Sequence, residues 1–490
     1  MKSEAGARAA WLVAALALAP VALFAYLGLF SRMMGDDWGH FATAQQLGGA
    51  DYFDFWWAQR YSSYTYILLH KALAPLGPEY MPPIFPAIII ALWLLSLVWL
   101  VASVMRALRI ERNRWPVSIA LAALLLTTTL NSLYTWESIY WYSASVRYAL
   151  PVALFMLYIA FAIDRASRAR TTGRTVAAAL GGAVLCFLNA GFSEMQLVIQ
   201  LVFLPCLLAG LFAFMVGRAR GRMPPLIAAG WFGSVISLLL QLTSPAISTR
   251  MHDGASLGER VPLRSLGALA AETVETVIAY LGDAGTIAGF TLMMLLGLTM
   301  ALALAEPKQT GQAAALTVPK RARLAPLTIA LLALASALSA LLLPVATGLY
   351  SIGIVYPRLM VSSVFAQMIA GVVIGACLGY IIWSSFRNSD GAAIWYAPIA
   401  KIGAVVVACY ALAVVSTQVN LIADFSLYAR EWDARHQQII ELRESGAEHL
   451  EVPPYTFDMT AYIAANGEPI RGSDAYFYGV DTISVSAAES

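Results

Sequence analysis

Long apolar runs recur along the chain, each near the roughly 20 residues that carry a helix across about 30 Å of hydrocarbon. They fall at about 10–31, 84–105, 115–132, 148–163, 175–189, 195–217, 225–243, 284–305, 325–345, 358–384 and 402–419, which predicts eleven spanning helices with the termini on opposite sides. Tyr64 to Leu76 is also apolar, but it is short and carries His70 and Lys71. Counting it as a span would push the basic loop Arg106 to Arg114 outside, against the positive-inside rule. Ala9 to Phe30 exceeds the length of a signal-peptide core, and no small-residue cleavage site follows it. It is expected to stay as the first helix.

Three polar stretches separate or follow these runs: Ser31 to Pro83, Ser244 to Asp283, and the tail after Asn420. In the second, Leu263, Leu266, Ala270, Val274, Val277 and Leu281 recur at helical spacing, which predicts a helix lying on the membrane surface. The tail opens on a similar stripe, Phe425, Tyr428, Trp432, Ile439 and Leu442, that stops at Gly446. Strand-like pieces HLEVPPY and YFYGVDTISV follow, so residues 421–490 are expected to form a small αβ unit beside a multi-span domain over 1–420. The segment Glu306 to Arg323 reads as a flexible loop.

Composition agrees with the pattern. The 490 residues are 60% hydrophobic and 12% charged, about half the charged fraction of a soluble domain. With the N-terminus inside, the inner segments hold 19 Lys and Arg against 5 acidic residues, and the outer ones hold 12 against 24. This asymmetry predicts a cytoplasmic N-terminus and an extracytoplasmic C-terminus in the cell's inner membrane. Cys186, Cys206, Cys377 and Cys409 all lie in apolar runs, without metal-ligand or disulfide spacing.

The middles of the predicted helices carry no Asp, Glu, Lys or Arg; their strongest polar groups are Gln200, Gln241 and Gln367. Ion-coupled transporters place ionisable groups near the midplane, so the pattern argues against one. The ionisable groups gather instead at predicted outer helix ends. Asp36 and Asp37 follow the first helix, Glu137 and Arg147 flank WESIYWYSASVRY, Glu194 opens the sixth, Arg250 follows the seventh, and Arg358 opens the tenth.

Arg, Trp and Tyr at helix ends also serve as interfacial anchors. For Trp136, Trp141, Tyr142 and Tyr148, anchoring and sugar stacking both remain open. Two adjacent acids gain nothing from an interface, although either can cap a helix running through Trp38 to Leu47. A catalytic arrangement would use Asp36 or Asp37 as the base toward an acceptor hydroxyl. Arg250 and Arg358, with Arg147 in reserve, would stabilise a departing lipid phosphate. Trp38, His40, Glu137, Trp141, Tyr142, Tyr148 and Glu194 are the candidate contacts to sugar or acceptor.

In order and type, these features resemble the GT-C class of integral-membrane glycosyltransferases, which use lipid-phosphate sugars. Within that class the chain is most similar to uncharacterised bacterial multi-pass proteins. The likeness rests on GDDW (Gly35 to Trp38), WYSASVRYALP (Trp141 to Pro151) and EWDARHQQI (Glu431 to Ile439). It implies that one acid of the first outer loop is the base or positions the acceptor, with a slight lean to Asp36. It further implies a polyprenyl-phosphate sugar as donor, an envelope glycan, lipid or protein as acceptor, and no nucleic acid. No organic cofactor is expected. Some members of the class use a divalent cation, for which Asp36, Asp37, Asp51, Asp54 and His40 offer an oxygen-rich set, although DYFDFWW looks more like an interfacial helix.

Overall fold

The computed structural model describes residues 2–107, 110, 114–168, 172–214, 218–252, 266–304, 320–352, 355–386, 392–453, 455–456 and 473–485. Among these residues nine helices are long and apolar enough to cross a membrane, including Ala7–Gly28, Met81–Ala107, Tyr142–Ser167 and Pro357–Ser385. The described residues are therefore those of an all-α membrane-embedded protein, with one pair of short strands among them. Two further segments predicted to span are also helical, Arg114–Asn131 and Glu194–Phe214. In the first, Thr128 and Thr129 turn their hydroxyls onto the carbonyls of Leu124 and Leu125, each at 2.8 Å, so these polar side chains are satisfied inside their own helix.

Small residues let the helices approach closely. Gly371, Gly375 and Gly379 repeat every four residues along Val361–Phe386 and face Ala284–Leu304. A Cβ on Gly375 would lie 1.8 Å from the Met294 carbonyl oxygen, so only glycine permits this crossing. At the ends of Met81–Ala107 and Leu150–Ser167, buried Asp164 pairs with Arg106 and, at 2.9 Å, with Arg168. A buried carboxylate with two guanidinium partners has its charge compensated where a lone one would not.

The first polar stretch folds into three short helices, Asp36–Gln46, Gly49–Gln59 and Tyr64–Leu73, and a 3₁₀ turn, Ala74–Leu76. Tyr64–Leu73, at 10 residues, is too short to span. Its Lys71 donates to the carbonyls of Ala44 and Leu47 at 2.6 and 2.7 Å, a cation placed on the C-terminus of Asp36–Gln46.

Two spans begin differently from the pattern's prediction. The one predicted from 148 starts at Tyr142, preceded by a π-helical turn at Trp136–Tyr140 and interrupted by another at Ser145–Ala149. The one predicted from 358 opens with the 3₁₀ turn Pro357–Met360. Hydropathy is blind to such turns, which shift side-chain direction without changing composition.

The boundary set at 420 falls inside a single helix, Ala392–Glu444, so the last span and the aromatic stripe of the tail are continuous. Strands His449–Val452 and Thr482–Val485 then pair in parallel. The YFY of the second strand-like piece belongs instead to a short helix, Ser473–Tyr478. A parallel pair needs a crossover, and this helix lies within it. In the second polar stretch a helix forms over Leu266–Leu281, leaving Val274, Ile278 and Leu281 exposed. Leu263 and most of the loop from Glu306 lie outside the described residues.

Candidate functional site

The stretch GDDW lies against both WYSASVRYALP, through Trp141 and Ser143, and EWDARHQQI, through Trp432. Gly35 has φ 48° and ψ −115°, a conformation costly for any residue with a Cβ, and a Cβ there would stand 2.5 Å from the Trp141 ring. This turn starts helix Asp36–Gln46 so that its two acids diverge.

Asp37 points inward and is wholly buried. Its Oδ2 accepts the Met34 N–H at 3.0 Å, and its Oδ1 accepts the Ser143 N–H at 2.8 Å together with a short bond from the Ser143 hydroxyl. Burial outweighs these donors and raises its pKa to about 7. Asp36, one residue earlier, is exposed. The expected acid pair is thus one structural tie and one solvent-facing carboxylate.

Trp38 and Trp432 stack with ring centroids 5.8 Å apart, and Phe477 and Tyr478 close over Trp38 at 5.2 and 5.3 Å. Arg32 makes a two-pronged pair with Asp433 at 2.7 and 2.8 Å. The tail is docked on the first polar stretch through these contacts. Trp38, expected to contact sugar, is therefore a buried docking residue.

His40 and Tyr142 also depart from expectation. His40 is buried, with Nδ1 2.9 Å from the Tyr52 hydroxyl and Nε2 2.9 Å from that of Tyr66. It stacks between Trp56 at 4.1 Å and His70 at 4.3 Å, and burial holds its pKa well below the usual value. Tyr142 is wholly buried among Phe41, His70 and Phe85. Neither presents a surface to a sugar; both belong to the wall that supports Asp36–Gln46.

The remaining charged residues form two paired centres. Arg147 binds Glu194 at 3.0 Å and lies over the rings of Tyr61, Tyr66 and Tyr148 at 4.6, 5.6 and 5.6 Å. Glu194 also accepts the Ser62 hydroxyl at 2.6 Å. Arg358 reaches buried Glu137 at 3.4 Å and lies over Trp141 and Tyr356 at 4.6 and 4.2 Å. Asp36 acts electrostatically on Tyr61 and Tyr66, which lie beneath Arg147, and Gly35 before it packs on Trp141, which lies beneath Arg358. The Arg147 and Arg358 side chains are 14% and 16% exposed.

Arg250 lies on helix Pro245–His252, which packs against Gly49–Gln59, but its side chain is outside the described residues. Among the described residues no group of three or more His, Cys, Asp or Glu side chains is placed to hold a metal ion. Asp37 and His40 are already spent on internal hydrogen bonds.

Ser143, Ser62, Tyr61, Tyr66 and Tyr356 were not singled out from the sequence. Ser143 lies inside WYSASVRYALP, and Tyr61 to Tyr66 form the hydroxyl-rich run YSSYTY. Hydroxyl density near an acidic motif was the available signal.

Replacing Gly35 by Ala should cost about 1–3 kcal/mol from backbone conformation, with a further loss from displacing Trp141. Thermal unfolding of the purified protein would detect it, and an unchanged midpoint would refute the role given to this turn. The chain matches no protein-family model, no curated protein and no solved structure.

Proposed function

We propose that the chain is a membrane glycosyltransferase of GT-C type, moving a sugar from a polyprenyl-phosphate donor to an envelope glycan, lipid or protein acceptor. The reading takes eleven spans, a cytoplasmic N-terminus and an extracytoplasmic C-terminus in the inner membrane, which puts Asp36 on the non-cytoplasmic face. The observation that carries it is the exposed Asp36 carboxylate close to the aromatic beds of two guanidinium groups: it acts electrostatically on Tyr61 and Tyr66 beneath Arg147, and Gly35 before it packs on Trp141 beneath Arg358.

Asp36 takes the proton of the acceptor hydroxyl as that oxygen bonds to the anomeric carbon. The bond from this carbon to the phosphate oxygen breaks, and its electron pair leaves with the lipid phosphate. Arg147 and Arg358 receive the growing negative charge through paired N–H groups. Glu194 and Glu137 hold the guanidiniums in place beforehand. Tyr148 is the partly exposed aromatic face left for the sugar, Trp141 being buried beneath Arg358. This assignment gives the charge-stabilising role to arginine and invokes no cofactor.

A second reading, a transporter or flippase for a lipid-linked or amphipathic substrate, draws on a polar seam inside the helices. Gln200 accepts the Ser234 hydroxyl at 2.7 Å, and Gln241 donates to Ser237 at 3.2 Å and to the Ala190 carbonyl at 2.8 Å. The seam carries no charge, which favours the first reading; Gln200 Nε2 and Gln241 Oε1 are buried in it without a hydrogen-bond partner.

Purified protein in lipid vesicles, supplied with polyprenyl-phosphate sugars and envelope acceptors, should yield an acceptor heavier by one sugar together with free polyprenyl phosphate, read by mass spectrometry. Movement of the intact donor across the bilayer without either product would decide for the second reading.

A further inference from the structure

The span Tyr142–Ser167 starts beside Trp141 and ends in a second gathering of charge. Asp164 is buried there and pairs with Arg106 and, at 2.9 and 3.0 Å, with Nε and Nη2 of Arg168. Arg165 has no acidic partner among the described residues. It lies over the Phe161 ring at 5.0 Å, and its Nε is buried without a hydrogen-bond partner. Arg165 stands about 22 Å along the helix from Leu150, so this cluster is separate from the residues around Asp36.

The next helix brings a further arginine to the same depth. Tyr158 on Leu150–Ser167 meets Gly182 on Thr172–Ala190 so closely that a Cβ on the glycine would stand 3.0 Å from its ring. Consecutive helices joined by a few residues and touching there run antiparallel. Counted from that contact, Arg165 is level with Thr175, and exposed Arg174 lies next to that level. Within this set four arginines accompany one carboxylate, an excess of three positive charges. Asp164 meets Arg168 along one edge of its fork, and that arginine side chain is 49% exposed.

Apolar surface begins where the charge ends. Val176, Leu180, Val184 and Leu188 recur every four residues along Thr172–Ala190 and are 42–64% exposed. This spacing keeps them on one side of the helix, as a strip about 18 Å long. A lipid phosphodiester fits both parts: its oxygens accept paired N–H groups from the guanidiniums, and an acyl chain lies along the strip. A soluble anion would use the first part alone. A zwitterionic headgroup would bring its own cation to a cluster already in positive excess, so a net negative headgroup is favoured.

We propose that the adjoining ends of Leu150–Ser167 and Thr172–Ala190 bind an anionic phospholipid, with Arg165, Arg168 and Arg174 receiving its phosphate and Val176, Leu180 and Val184 bearing an acyl chain. The site is independent of the transferase reading and of which way the chain lies in the membrane.

Native mass spectrometry of the full-length protein, released from detergent after incubation with equal amounts of phosphatidylglycerol and phosphatidylcholine, reads the lipid retained. Phosphatidylglycerol should be kept in preference. Arg165→Gln should lower that preference about tenfold, the worth of one charged hydrogen-bond contact. Arg174→Gln, at an exposed position that puts little folding at risk, should lower it in the same direction. Arg430→Gln, exposed on Ala392–Glu444, should leave it unchanged. Excess glycerol phosphate, a headgroup without chains, should not displace the lipid. Equal retention of the two lipids, an unchanged preference in folded Arg165→Gln or in Arg174→Gln, or an equal loss in Arg430→Gln would overturn the site. Displacement by glycerol phosphate would also overturn it, by showing a site for soluble phosphate instead.

Discussion

Asp36→Asn should leave the protein folded in the membrane while its transfer rate falls by about 10²–10⁴-fold, the range carried by a general base. The side chain is exposed and sits in the first helical turn, so the amide removes a basic lone pair at little structural cost. Its negative charge also favours the helix N-terminus, a surface effect of only about 0.3–1 kcal/mol. The loss should appear in kcat, because the acceptor oxygen needs the base only as its proton leaves. Turnover of the purified variant, compared with the unaltered protein at equal folded amount, measures this directly. Unchanged kcat would remove Asp36 from the chemistry and with it the strongest support for the transferase reading.

Much of the architecture is legible in the hydropathy pattern, because apolar length is what a bilayer demands of a helix. Within the described residues all eleven segments marked by it are helical, and the short Tyr64–Leu73 helix with His70 and Lys71 is not long enough to join them. The site is legible only as a gathering of charged and aromatic residues at helix ends. Composition does not distinguish Asp36 from Asp37; the distinction comes from the left-handed turn at Gly35 and from Ser143, more than 100 residues away. Trp38 looks like a sugar platform until the tail that covers it is in place, since an aromatic ring suits either surface. His40 similarly offers its two nitrogens to any partner, and only the fold assigns them to Tyr52 and Tyr66. The paired centres around Arg147 and Arg358 depend on the π-helical and 3₁₀ turns that hydropathy cannot register.

Asp37→Asn should do the reverse of Asp36→Asn, lowering stability before it touches chemistry. All three groups that meet Asp37 are donors: the Met34 N–H on Oδ2, and the Ser143 N–H and hydroxyl on Oδ1. An asparagine can keep its oxygen toward Ser143 only by turning its NH₂ toward the Met34 N–H, which leaves two donors face to face. The expected loss is roughly 1–3 kcal/mol for one buried unsatisfied group, and Asp37→Ala should lose more because it orphans all three donors. A protonated aspartic acid is not mimicked by the amide, since it retains a lone pair for Met34. Burial holds the Asp37 pKa near 7, above the roughly 3.9 of an unfolded chain, so the native state binds the extra proton between these values. Its contribution to stability is therefore full below about pH 4, declines as pH rises toward about 7, and is level above that. Unfolding midpoints of the unaltered protein and both variants across pH 4–8 would test the whole account. An Asp37→Asn protein that melts with the unaltered one at every pH would show that this carboxyl does not hold the outer loop to the segment after Trp141.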